Sequence, residues 1–125
     1  MIDTTEADAD SRIARKRQLR VLIATEPRLY RETIGRTIQD LRPHLEVTVV
    51  EPDALVAEVR RLAPRLIICS QANTLTLDVE EIVWVEFRPY DEPRAKICIG
   101  RQRSELEEVK LDDLLSIVDE TERMA

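Results

Sequence analysis

The stretch Pro64-Arg65-Leu66-Ile67-Ile68-Cys69-Ser70 decides the fold: an apolar run entered through a proline and closed by a serine. Four consecutive apolar residues without polar alternation describe a strand buried on both faces, hence the middle of a sheet with helices above and below. In an open parallel α/β sheet, ligands and chemistry gather at the carboxyl ends of such strands. The residue standing there is Ser70, next to Cys69, with no carboxylate, histidine or glycine-rich loop beside it in sequence.

Working outward toward the amino terminus, Leu19 to Ala24 is a second short apolar run, ending at Thr25-Glu26-Pro27, where proline sets a helix start and Thr25 or Glu26 can cap it. Tyr30, Ile34, Ile38 and Leu41 then fall at i, i+4, i+8 and i+11, one face of a helix ending before Pro43. Leu45 to Val50 begins with polar alternation, as an edge strand does, and Glu51-Pro52-Asp53 opens a second helix with Leu55, Val59 and Leu62 on its apolar face. Strand, helix, strand, helix, strand with short loops implies right-handed crossovers and a parallel sheet.

Downstream the pattern changes. Residues 71–80 show no helical face and leave room for a loop or one helical turn, and Ile82 to Phe87 is a strand by composition. The seven residues Arg88 to Arg94 contain two prolines, too few for the roughly ten to twelve that a helical crossover takes, so Ala95 to Gly100 is expected to return as the antiparallel arm of a hairpin. Arg101 to Lys110 reads as a charged loop, and Leu111, Leu114, Leu115 and Val118 mark a last amphipathic helix with Asp112 and Asp113 suited to its amino-terminal dipole. The expectation is one α/β domain over residues 19–122. It has three layers, about five strands with the first three parallel and the last two a hairpin, and a C-terminal helix. A flexible charged tail over residues 1–18 precedes it.

Composition narrows the function. A formal net charge of −6 argues against a nucleic-acid binder, which needs a basic field. No apolar run approaches the roughly 18 residues of a membrane span, and the acidic first ten residues lack a signal peptide's basic and apolar regions, so a cytoplasmic location follows by default. Cys69 and Cys98 both lie in apolar runs and read as buried reduced thiols rather than a redox pair. Only Gly35 and Gly100 are present, which excludes a dinucleotide fingerprint or P-loop. His44, beside Pro43, reads as a loop residue, and no triad or metal cluster assembles around it.

The strings Arg20-Val21-Leu22-Ile23-Ala24-Thr25-Glu26-Pro27, Ala63-Pro64-Arg65-Leu66-Ile67-Ile68-Cys69-Ser70 and Leu111-Asp112-Asp113-Leu114-Leu115-Ser116-Ile117-Val118 resemble the first strand, third strand and final helix of a response-regulator receiver domain, with its flavodoxin-like fold. In receivers, acidic residues after the first strand hold magnesium, an aspartate after the third takes a phosphoryl group, and a Ser/Thr and a lysine after the fourth and fifth read it. Here Thr25 and Glu26 stand at the acidic pair, Ser70 at the phosphoacceptor, Glu86 or Phe87 near the Ser/Thr and Gly100 or Arg101 near the lysine. A serine without an activating base is a poor acceptor and one carboxylate ligates magnesium weakly.

The resemblance therefore implies a pseudo-receiver, not phosphorylated on aspartate: a non-catalytic regulatory or adaptor module that needs no cofactor and acts on a protein partner. A second copy of the chain is one candidate for that partner. The alternative is a small-ligand or phosphate-binding crevice formed by Thr25, Glu26, Ser70 and Arg101; an enzyme with Cys69 or Ser70 as nucleophile is the lesser rival. Trp84, Phe87 and Tyr90 concentrate three of the four aromatics in the hairpin region, where they either close the core or anchor a partner.

Overall fold

The computed structural model of the chain describes residues 19–71, 82–88, 92–99 and 102–124. The charged segment 1–18 and all but Gln71 of the connection expected over residues 71–80 lie outside the described residues. The elements are β1 (Arg20–Ala24), α1 (Arg28–Leu41), β2 (Glu46–Val49), a 3-10 turn (Pro52–Ala54), α2 (Leu55–Leu62), β3 (Leu66–Cys69), β4 (Val83–Arg88), β5 (Glu92–Ile99), β6 (Gln102–Leu106) and α3 (Leu111–Met124).

They form one mixed sheet of order β2-β1-β3-β4-β5-β6. The all-apolar β3 is wholly buried and lies inside the sheet, parallel to β1 through Leu22↔Ile67 and to β4 through Ile68↔Val85. Four strands are thus parallel. The last two join antiparallel: β5 runs against β4 with Val85↔Ile97, and β6 against β5 with Ile97↔Ser104. Alternate side chains feed two cores. Val21, Ile23, Leu66, Ile68, Val83 and Val85 pack with Ile34 and Ile38 of α1 and Leu114, Ile117 and Val118 of α3. On the opposite face, Leu22, Ala24, Ile67, Cys69 and Trp84 pack with Leu55 and Val59 of α2. The result is the expected three-layer α/β arrangement, mixed rather than fully parallel.

Three expectations need correction. Among the described residues the sheet has six strands, not about five, because Gln102 to Leu106, read as charged loop, is an edge strand with four of its five residues exposed. Such a strand buries almost nothing and leaves no apolar pattern to read.

The buried face of α1 is Arg31, Ile34, Gly35 and Ile38, whereas Tyr30 and Leu41 are about half exposed. The shift follows from Gly35, whose missing Cβ lets the helix settle against Val49 of β2 and Ile23 of β1. Finally, α1 is entered through Pro27 as its N-cap with no side-chain cap, so neither Thr25 nor Glu26 caps it.

The helices are pinned at their ends. α2 stops at Ala63 in the left-handed region (φ 47°), whose N–H closes on the Val59 carbonyl, ahead of Pro64. At the start of α3, Asp113 accepts the Lys110 backbone N–H at 2.8 Å. Arg42, just past α1, makes a two-pronged pair with Asp119 of α3 at 2.8 and 2.9 Å. That fork fixes α1 and α3 side by side on one face of the sheet.

Candidate functional site at the strand ends

The carboxyl ends of β1, β3 and β4 meet where the sequence places Thr25, Glu26 and Ser70. The structure brings these three together; Arg101, the fourth residue of the expected crevice, lies outside the described residues. Ser70 follows β3 directly. Its Oγ accepts the Glu26 backbone N–H at 2.9 Å and donates to the Phe87 carbonyl at 2.8 Å. One hydroxyl therefore ties the ends of three neighbouring strands, using its single proton and one of its lone pairs. The Ser70 carbonyl in turn accepts Arg88 Nε at 3.0 Å, and the other side of that guanidinium lies 3.7 Å from Glu86 Oε2.

Arg88 is the residue that sequence reasoning missed here. A cation one position past Phe87, closing a strand that must run beside Ser70 if the sheet is parallel, was the available signal.

The neighbouring groups are inert or enclosed. Cys69 is fully buried; burial pushes its thiol up to about 12, and the nearby Glu86 carboxylate adds to the rise. Its Sγ donates to the Gln71 carbonyl at 3.3 Å, the same oxygen that receives Trp84 Nε1 at 2.9 Å. A thiol held protonated this firmly is a poor nucleophile. Thr25 is fully buried, and its Oγ1 has no hydrogen-bond partner among the described residues. Glu26 is exposed, with its backbone engaged and its carboxylate at the surface. Among the described residues no group of three His, Cys, Asp or Glu side chains is arranged to hold a metal ion.

The aromatic candidates do not form one patch. Trp84 and Phe87 are 4% and 6% exposed and belong to opposite cores, as an odd separation along one strand requires. Tyr90 lies outside the described residues. Each buried ring floors its own depression. Phe87 lies beneath an apolar groove of about 310 Å³ between α1 and α3, edged by Tyr30, Ile34, Val109 and Leu111. Trp84 borders an open hollow of about 480 Å³ over the β4-β5-β6 face, its walls part apolar and part charged, with Glu86, Lys96, Arg103 and Glu105 around it.

No helix among the described residues is long and apolar enough to cross a membrane. In comparisons with known proteins, the chain matches no family model, no curated protein and no solved structure.

Proposed function

We propose that this chain is a non-catalytic regulatory or adaptor module of receiver-like descent, acting by protein contact and not by aspartyl phosphorylation. The observation that carries the reading is the Ser70 bridge. At the position corresponding to a receiver's phosphoacceptor, the side chain is spent on the backbone of β1 and β4 and supplies no carboxylate. Cys69, the other nucleophilic atom at this end, is buried and protonated. The fold also departs from a receiver by having more strands and fewer helices among the described residues, with β5 returning antiparallel to β4 in place of a helical crossover.

The experiment is to incubate the protein with a small-molecule phosphodonor and magnesium and to read its intact mass, with native alkylation in parallel. An unchanged mass and a Cys69 that resists iodoacetamide near neutral pH are the expected results. A stable phosphoryl adduct or rapid labelling of Cys69 refutes the reading.

One observation bears on a ligand-binding alternative: the Thr25 hydroxyl has no partner among the described residues, and because it is fully buried a polar molecule would reach it only if the strand ends open. A thermal-shift screen of nucleotides and phosphorylated metabolites tests it. Stabilisation abolished by Ser70→Ala or Arg101→Ala supports the crevice, and a silent panel removes it.

A further inference from the structure

The two edges of the sheet are treated differently. At the β2 edge, Gln39 of α1 reaches over the strand: its Oε1 accepts the Val47 N–H at 3.3 Å and its Nε2 donates to the Leu45 carbonyl at 2.8 Å. The Glu46 and Val50 N–H groups point inward to Leu19 and Ile23 of the β1 side. The groups Gln39 covers are thus two of the outward-facing ones that an added strand would use. At the opposite edge, β6 pairs with β5 on one side only, and no described residue bonds its outward backbone groups. Edge strands left in this state are templates for another strand.

The sequence of β6 says which strand. It reads Gln102-Arg103-Ser104-Glu105-Leu106, and it is complementary to its own reverse. An antiparallel pairing centred on Ser104 sets Arg103 opposite Glu105 of the second copy, Glu105 opposite its Arg103, and Gln102 opposite its Leu106. Arg103 and Glu105 are one step apart from Ser104 on either side, so both charges lie on the same face of the sheet and both cross-strand pairs form together. Neither end of β6 carries lysine or proline, the usual blocks to such pairing. A two-fold axis through Ser104 closes the assembly at a dimer, because the same edge is used by both copies.

We infer that β6 is a self-association edge, joining two copies of the chain into a continuous twelve-stranded sheet through antiparallel β6–β6 pairing about Ser104. This goes beyond the reading of the strand ends: a monomeric protein would remove the interface and leave the Ser70 bridge as it is.

The test is charge exchange read by sedimentation equilibrium over a range up to several hundred micromolar protein, with circular dichroism confirming the fold of each variant. Arg103→Glu or Glu105→Arg alone sets like charges opposite one another twice, and each should weaken dimerisation by about tenfold. The double exchange, Arg103→Glu with Glu105→Arg, restores both pairs and should recover the wild-type constant. An equimolar mixture of the two single variants should associate more tightly than either alone. A wild-type protein that stays monomeric, a dimer indifferent to the single exchanges, or a double variant no better than the singles would each overturn the assignment.

Discussion

Replacing Ser70 by alanine tests the physical core of the argument. The hydroxyl holds two backbone groups that otherwise lose their partner: the Glu26 N–H at 2.9 Å and the Phe87 carbonyl at 2.8 Å. A net hydrogen bond in a folded protein contributes about 1 kcal/mol, and a buried group stranded by a deletion costs about 1–3 kcal/mol. Glu26 is exposed and its N–H can turn to water, so its share falls at the low end; Phe87 belongs to a residue only 6% exposed, so its carbonyl falls higher. The sum is about 2 kcal/mol. For a domain near 100 residues this corresponds to a Tm lower by roughly 8 °C. Urea unfolding followed by Trp84 fluorescence measures it, with amide exchange at Glu26 as the local reading: that N–H should exchange faster in the variant. Ser116→Ala is the control, since its hydroxyl bonds the Asp112 carbonyl on an exposed helix face and should cost no more than about 0.5 kcal/mol. If Ser70→Ala is as stable as this control, the strand ends hold without the bridge, the hydroxyl is free for a ligand, and the case for a sealed end collapses.

Three further outcomes are expected. Thr25→Val exchanges a buried hydroxyl without a partner among the described residues for a methyl of the same shape, and should stabilise the fold by about 1 kcal/mol in urea; a loss of stability would reveal a partner for that oxygen. Gly35→Ala drives a Cβ into Val49 Cγ2 and should destabilise by about 1 kcal/mol after the gain in helix propensity is counted, with Val49→Ala relieving the clash in a double-mutant cycle. The hydrogen bond from Arg42, reinforced by its charge, holds the Asp119 carboxyl below its ordinary value against the opposing pull of burial. A depressed carboxylate contributes stability above its unfolded pKa of about 4, and that contribution fades as the pH falls through the lower folded value. Asp119→Asn should therefore flatten the acid limb of the stability profile, though not abolish it, because Glu58 is lowered by Arg61 in the same sense.

The parts of the fold legible in the sequence are those whose burial is patterned. β3 is apolar at every position and is buried at every position; the proline-rich segment between Arg88 and Arg94 is too short for a helix, and β4 and β5 are indeed antiparallel. β6 was hidden because polar residues occupy both faces, leaving Leu106 alone to touch the core. The register of α1 was hidden because an arginine and a glycine sit on its buried side while Tyr30 and Leu41 face outward. At the strand ends the serine was visible but its partners were not. One is a main-chain amide 44 residues away and the other a carbonyl 17 residues away, and backbone groups carry no label in a sequence. The opposite facing of Trp84 and Phe87, by contrast, was written in their spacing of three along one strand.

The two halves of the sheet differ in a way that bears on where contact can occur. In β1 and β3 neighbouring residues such as Leu22 and Ile23, or Ile67 and Ile68, are apolar on both faces and buried on both. Past Trp84, which still packs with α2, that face turns polar: across the register, Glu86 stands opposite Lys96 and Lys96 opposite Glu105, while Val85 and Ile97 keep the other face dry. A strand buried on both sides needs helices above and below it, whereas a strand with one wet face can be added by a hairpin and needs cover on one side only. A β5 that returns antiparallel to β4, extended by β6, thus accounts at once for the polar face and for the uncovered edge at β6. On the reading proposed here, the strand ends that would carry chemistry are tied shut by Ser70 and the hairpin supplies an edge for contact. The two features are separable by experiment, since Ser70→Ala should lower stability without changing association and Arg103→Glu should do the reverse.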